Sequence, residues 1–275
     1  MSEPHEANAH ARSLRRSERR HGDAVNLSIC PTASVRTTCA HCVARHTSLC
    51  ARVDDECLSR LQALARHARF APGTTVFEQD EEAYRIYIIT RGVVRLYRDV
   101  ESGKRQITGF LGPGDLLGGI RRRTAAHCTA ETITEVEVCG FERAAFAALL
   151  QAYPDLCFTL LVTAMDEIEA QFDHLVLIGR KQVPERLAAF LLMLSRRWKF
   201  ASEDPNLVLL PMPRSDIADH LGVTSETISR IFTRFKNEGL IEVPTMKSVI
   251  IKNLPRLQAL AGFEEIPNQR MAIGL

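Results

Sequence analysis

Residues 214–230 constrain the fold more than any other part of the chain, because they can form two short helices joined by a glycine turn. Ser215 is placed to cap the first helix, Thr224 is placed to cap the second, and Gly222 suits the turn between them. Apolar side chains recur on one side of each helix, so the two helices can bury each other. These residues are Ile217, Leu221, Ile228, Ile231, Phe232 and Phe235. The segment therefore predicts a helix-turn-helix.

The other face of the predicted second helix is polar and suits DNA recognition. In a major groove Arg230 can donate to guanine O6 and N7, and Glu226 can accept from cytosine N4. Strands predicted at 240–243 and 248–251 would add a wing beside it. The alternative is an ordinary amphipathic helix with a solvated face. The predicted DNA contacts are Glu226, Ser229, Arg230, Ser225 and Thr224, with Arg214, Arg234 and Lys236 as contacts to phosphate.

Upstream of this element, short segments of strand-forming residues alternate with glycine turns. Strands are predicted at 74–77, 85–89, 93–97, 105–110 and 134–139. Their regular spacing is typical of a small antiparallel barrel or roll. A helix capped by Asp54 or Asp55 is expected to precede them and to run to about Arg66.

A long helix is predicted after Pro154, and its apolar residues follow a heptad pattern. The pattern comprises Leu161, Met165, Ile168, Phe172 and Leu175. Acidic residues flank it at Asp166, Glu167, Glu169 and Asp173. Charges beside such a seam tune partner choice, so we predict a dimer interface. The alternative is that the stripe packs on the roll of its own chain.

The predicted fold class is α+β, with an antiparallel β-roll, a long dimerisation helix and a C-terminal winged helix-turn-helix. The predicted parts are a disordered basic arm (1–38), a cysteine-rich loop (39–52), a sensory β-roll (53–152), the dimerisation helix (153–181), the DNA-binding domain (182–255) and a C-terminal extension (256–275). No apolar run suits a membrane helix or a signal peptide, so a cytoplasmic protein is expected. The sequence shows no catalytic motif of an enzyme.

The spacing of the cysteines suggests a metal site. Cys39, Cys42 and Cys50 form a Cys-x2-Cys-x7-Cys pattern, and Cys139 ends a predicted strand. Four thiolates suit either zinc or an iron–sulfur cluster, so the chemistry alone does not separate the two. His41, His46 and Cys30 are further candidate ligands. A third hypothesis, besides zinc and a cluster, is that the thiols bind no metal. Cys57, Cys128 and Cys157 are expected to be small buried residues.

The order of roll, dimer helix and winged helix-turn-helix resembles the CRP/FNR superfamily of bacterial regulators over nearly everything after residue 50. Glu226-Thr-Ile-Ser229-Arg230 is similar to the Glu-x-x-Ser-Arg signature of the FNR branch. Segments 106–110 and 185–190 are also similar to that branch. The resemblance implies a homodimer that reads a TTGAT-N4-ATCAA palindrome in double-stranded DNA. It also implies contact with RNA polymerase, for which the turn at 102–104 is a candidate.

The FNR resemblance further implies an oxygen-labile 4Fe-4S cluster, one per chain, held by Cys39, Cys42, Cys50 and Cys139. Cys139 falls where the fourth ligand of FNR proteins sits. The expected function is an oxygen-responsive transcription regulator. The alternative is a regulator of the same superfamily that senses another small ligand, with a zinc or vestigial cysteine site.

A cyclic nucleotide is not expected to be the signal. CRP proteins bind the ribose with a Gly-Glu pair, where this chain has Gly114 and Asp115. They bind the phosphate with an arginine, whose place is taken here by Ala126, although Arg123 lies nearby. A shortened carboxylate and a displaced arginine both argue against nucleotide binding.

Overall fold

The computed structural model describes residues 39, 42–82, 84–100, 103, 105–119, 125–198 and 204–262. Several expectations lie outside this range: the basic arm, Cys30, His41, most of the 102–104 turn, Arg123 and most of the C-terminal extension. Within the described residues no single helix is both long and apolar enough to cross a membrane. Two consecutive helices, 143–152 and 154–180, are together long and apolar enough, but the chain bends by 112° between them.

The cysteine-rich segment consists of two 3₁₀ turns, Val43–His46 and Leu49–Arg52. It leads into helix α1 (Asp55–Leu64). Asp54 caps this helix, as predicted, by accepting a hydrogen bond from the Cys57 amide at 2.8 Å. The helix ends slightly before the predicted limit because strand β1 (Arg66–Phe70) begins there.

Two four-stranded antiparallel sheets form the predicted β-roll. One has the order β1-β8-β3-β6, and the other has the order β2-β7-β4-β5. The strands after β1 are β2 (Thr75–Phe77), β3 (Arg85–Arg91), β4 (Val94–Asp99), β5 (Arg105–Leu111), β6 (Leu116–Leu117), β7 (Thr129–Thr132) and β8 (Val136–Glu142). Buried apolar residues such as Ile89, Val94 and Val136 fill the space between the sheets.

Two helices follow the roll. Helix α2 (Arg143–Ala152) was not predicted, and it buries Phe146 and Leu149 against the sheet. Helix α3 (Pro154–Arg180) begins at the predicted proline. The heptad residues of α3 are 46–65% exposed in the single chain. The structure therefore contradicts the alternative that this stripe packs on its own roll.

The C-terminal part is a winged helix-turn-helix, which confirms the predicted fold class. It contains α4 (Val183–Arg197), β9 (Leu207–Leu209), α5 (Arg214–Leu221), α6 (Ser225–Asn237), β10 (Ile241–Thr245), β11 (Ser248–Ile251) and α7 (Leu254–Ala261). The strands form one sheet in the order β10-β11-β9. Leu257 and Ala261 of α7 are buried in the same core as α4 and α6. The boundary placed at residue 255 therefore falls inside this unit.

The turn between α5 and α6 follows the predicted chemistry, with one correction. Gly222 adopts φ 70°, the left-handed conformation that glycine allows at a helix end. Thr224 caps α6 by accepting from the Thr227 amide at 3.2 Å. The prediction that Ser215 caps α5 is wrong, because the helix begins at Arg214 and Pro213 is its cap. Ser215 lies inside the first turn.

Candidate functional site

The exposed face of α6 presents the residues predicted to read bases. Arg230 and Glu226 form an ion pair one helical turn apart, and both side chains are more than 70% exposed. The hydroxyl of Ser229 donates to the Ser225 carbonyl oxygen at 2.9 Å. An exposed i,i+4 pair stabilises little, but it orders the guanidinium and the carboxylate side by side. Both side chains that were predicted to read bases are therefore exposed to solvent and open to a ligand.

The residues predicted to contact phosphate differ in their environments. Arg234 is exposed and donates to Glu238 at 2.6 Å. Arg214 lies over the ring of Phe232, with its guanidinium carbon 3.5 Å from the ring centroid. Burial lowers the pKa of Arg214 to about 10, so it stays charged at neutral pH. Thr224 uses its hydroxyl to cap α6.

Ion pairs hold the helix-turn-helix against the β-roll. Asp216 of α5 is fully buried and accepts from Arg95 of β4 at 2.7 Å and from Arg105 of β5 at 2.6 Å. Arg95 also pairs with Glu131, and Arg105 with Asp219. The guanidiniums therefore join two elements that are more than 100 residues apart in the sequence. Sequence reasoning missed this group, since an arginine on a strand does not indicate which carboxylate it meets.

A second set of contacts surrounds His220 of α5. Its ring stacks on His174 of α3, with centroids 4.2 Å apart. Its Nδ1 lies 3.2 Å from the Ile107 carbonyl oxygen. Burial, together with His174, lowers the pKa of His220 to about 3. The ring is therefore neutral, and since a carbonyl oxygen only accepts, Nδ1 carries the proton.

The four predicted metal ligands line one pocket, at the junction of the cysteine segment, α1 and the sheet. Cys139 lies on β8 opposite His67 of β1 and Ile88 of β3. Cys50 lines the pocket from the second 3₁₀ turn, and Cys39 and Cys42 line it from the chain just before the first. Apolar walls come from Ala44, Leu61, Ile88 and Phe141. The pocket therefore gathers thiols from both ends of the roll sequence.

Burial makes the thiols of Cys39, Cys50 and Cys139 poor anions on their own. It raises the pKa of Cys139, with the further effect of Cys42, Cys39 and Cys50, from 9.0 to about 12. Burial also raises the pKa of Cys50 and of Cys39. A bound cation would be needed to hold several of them as thiolates together.

The pocket offers four cysteine thiols as metal ligands. Among the residues that the structure describes, no group of three or more His, Cys, Asp or Glu side chains is placed to hold a metal ion. His46 is exposed and does not line the pocket. Four thiolates match the donor set of a 4Fe-4S cluster and that of a four-cysteine zinc site alike.

The remaining cysteines match their expected burial only in part. Cys57 is buried, as predicted, and Cys128 is half-buried. The prediction that Cys157 is buried is wrong, because it lies on the outward side of α3.

Known proteins resemble this chain along most of its length. The sequence pattern of the Crp-like helix-turn-helix domain matches residues 185–260, and that of the cyclic nucleotide-binding domain matches residues 67–153. The nitrogen fixation regulation protein FixK of Bradyrhizobium diazoefficiens is 35% identical, over 81% of this chain and 93% of that protein. The transcriptional activator FnrL of Cereibacter sphaeroides is 32% identical, over 82% of this chain and 92% of that protein.

Two further proteins are similar to this chain over shorter spans. The fumarate and nitrate reduction regulatory protein of Salmonella typhimurium is 35% identical, over 69% of this chain and 76% of that protein. The solved structure of FixK2 from Bradyrhizobium japonicum superposes with a TM-score of 0.67 at 29% identity, covering 73% of this chain and 98% of that one.

Proposed function

This chain belongs to the CRP/FNR superfamily of DNA-binding transcription regulators, and on that premise we propose that it responds to oxygen through a 4Fe-4S cluster. Its relatives are regulators rather than enzymes. The observation that carries the proposal is the shared pocket of Cys39, Cys42, Cys50 and Cys139. When bound, the cluster supplies iron–sulfur bonds that oxygen can break.

The chain's own residues determine what cluster loss changes. Three of the four thiols belong to the cysteine segment at residues 39–52, whereas Cys139 belongs to the roll. Ligation by all four ties that segment to β8. Without ligation, the segment is held by its packing, such as Leu49 in the core with Cys57 and Leu61. Oxygen therefore acts on how firmly the segment is anchored.

Dimerisation places two copies of α6 on one DNA site. The exposed stripe of α3 provides the interface, because a second chain that covers it removes apolar surface from water. This burial stabilises the dimer. The stripe extends to Phe158, one turn before Leu161, which is 62% exposed. Asp166, Glu167, Glu169 and Asp173 flank it and keep the association weak enough to be regulated.

The homodimer reads a two-fold symmetric duplex of the TTGAT-N4-ATCAA type. Each copy of α6 contributes Glu226, Ser229 and Arg230 to one half-site. Arg214, Arg234 and Lys236 contact phosphate. The turn at 102–104 meets RNA polymerase. Because the target is genomic DNA, the protein acts in the cytoplasm.

Replacing Cys139 with serine should abolish cluster binding. Wild-type protein purified without oxygen should be straw-brown and hold about four irons per chain. Cys139→Ser should lose most of this iron, since the pocket loses its only ligand from the roll. Cys157→Ser is the matched control, because Cys157 is exposed on α3 and should leave the iron content unchanged. Iron and sulfide assays with the visible spectrum measure both.

Two results would contradict this part of the proposal. Colourless wild-type protein that carries zinc would show that the pocket is a zinc site. Full iron content in Cys139→Ser would show that another group is the fourth ligand.

A further inference from the structure

The loop at residues 112–115, between β5 and β6, contacts three separate parts of the molecule. It is fixed to the roll by backbone hydrogen bonds, from Gly114 to the Ile89 oxygen at 2.8 Å and from Ile89 to the Asp115 oxygen at 3.0 Å. The Asp115 carboxylate accepts from the Gly112 amide at 2.7 Å, which closes the loop on itself. A loop held this firmly can pass a displacement from one neighbour to another.

The first neighbour of the 112–115 loop is the cysteine segment. Thr47 lies between Cys42 and Cys50, and its hydroxyl is 3.4 Å from the Pro113 carbonyl oxygen. Gly114 has φ 98°, and a Cβ there would lie 2.3 Å from the Thr47 hydroxyl oxygen. Glycine permits this close approach, so the 112–115 loop and the cysteine segment are in direct contact at Thr47.

The second neighbour is the DNA-binding unit. Arg197, the last residue of α4, donates to Asp115 at 3.1 Å and to Glu167 of α3 at 3.3 Å. Its side chain is 28% exposed, and that of Asp115 is 22% exposed. One guanidinium therefore joins the roll, the dimer helix and the DNA-binding unit. Asp115, whose carboxylate is engaged by this ion pair, stands at the position where CRP proteins bind ribose.

Packing reinforces the ion pair. Trp198 follows Arg197, and its ring lies against Gly112, where a Cβ would be 2.5 Å from the Trp198 Nε1. Glycine is therefore needed at this end of the loop as well. The 112–115 loop thus has a close steric contact with the cysteine segment at Gly114 and another with the end of α4 at Gly112.

We propose that the 112–115 loop couples the cysteine segment to the DNA-binding unit, with Arg197 as the positioning residue that completes the connection. The biological signal for this coupling rests on the proposed function, but the coupling itself is a property of the contacts. Thermodynamic reciprocity requires that, if the cysteine segment alters DNA affinity, then DNA binding alters the stability of the cysteine segment.

Hydrogen exchange on cluster-free protein tests this coupling without any iron. At low salt, where phosphate contacts hold the complex on any sequence, the protein is saturated with duplex DNA. In the wild type, DNA should slow amide exchange in residues 43–53 by about fivefold or more. In Arg197→Gln and in Asp115→Asn this effect should fall below about twofold. Exchange within α6 should slow on DNA binding in every variant.

Two features keep the outcome interpretable. Arg91→Gln is the control, since Arg91 is an exposed arginine at the end of β3 and should behave as the wild type. Trp198 is the only tryptophan of the chain, so its emission reports whether each variant keeps the local packing. Asp115→Asn preserves the shape of the side chain and serves if Arg197→Gln does not fold. The double variant should lose no more than either single one.

Absence of protection in the wild type, or equal protection in the wild type and both variants, would overturn the coupling. The proposed function fails on a different result, namely that iron is absent or that air leaves DNA affinity unchanged. A protein that shows protection but no iron would keep the coupling and lose the oxygen response.

Discussion

Replacing Asp216 with alanine should destabilise the folded protein by about 3 kcal/mol. The side chain is fully buried between Arg95 and Arg105, so its removal leaves two guanidiniums partly desolvated without their shared partner. We expect the lower end of the range for buried pairs, because Arg95 keeps Glu131 and Arg105 keeps Asp219. Urea denaturation at a fixed protein concentration measures the change.

Asp219→Ala is the matched control for Asp216. It lies on the same helix and pairs with the same Arg105, but its side chain is about one-third exposed. Its loss should cost less than about 1 kcal/mol. Equal and small losses in both variants would show that these ion pairs do not hold the helix-turn-helix against the roll.

Replacing Arg230 with alanine should remove most of the preference for the palindrome. Arg230 is exposed on α6 and ordered by Glu226, and a bidentate contact to a base discriminates by about 1–3 kcal/mol in each half-site. Because a dimer reads two half-sites, this loss of discrimination is expected in each of them. Binding to a scrambled duplex should change little. Fluorescence anisotropy with both duplexes, over a range of salt, gives the two affinities.

Arg234→Ala distinguishes base contact from phosphate contact. Arg234 lies on the same helix and is also exposed and paired, with Glu238. We expect it to weaken binding to both duplexes alike and to lower the salt dependence. If Arg230→Ala instead weakens both duplexes equally, Arg230 contacts phosphate and the base-reading assignment is wrong.

Local chemistry made the DNA-binding element predictable from sequence. Gly222 and Thr224 act through neighbours a few residues away, so their roles follow from spacing alone. The exposed stripe of α3 is similarly readable, because a heptad repeat is a property of one helix. Ser215 was misplaced because Pro213 can also stand at the start of a helix, and the two choices of cap differ by two residues.

Contacts between distant segments were not predictable in this way. Arg95 and Arg105 meet Asp216 only because β4 and β5 face α5 in the folded chain. Arg197 reaches Asp115 for the same kind of reason. Strand β7 was missed because Thr129 and Thr132 are polar residues that are nevertheless buried in the sheet. Periodicity shows which face of an element is apolar, but it does not show which distant segment of the chain that element contacts.

The cysteine pocket was predictable from the sequence only in part. The Cys-x2-Cys-x7-Cys spacing indicated one group of ligands, but nothing in the spacing indicated Cys139. The family resemblance selected Cys139, and the strand register then placed it opposite His67 and Ile88, at the wall of the same pocket. The metal itself stays a prediction.

The most direct test of the account is the DNA affinity of one protein preparation before and after exposure to air. Anisotropy with a TTGAT-N4-ATCAA duplex gives the affinity, and an iron assay and the mass of the free protein are measured on the same samples. We predict that iron loss, dissociation of the dimer and a fall in affinity of about tenfold or more occur together. Unchanged affinity after the iron is lost would contradict it.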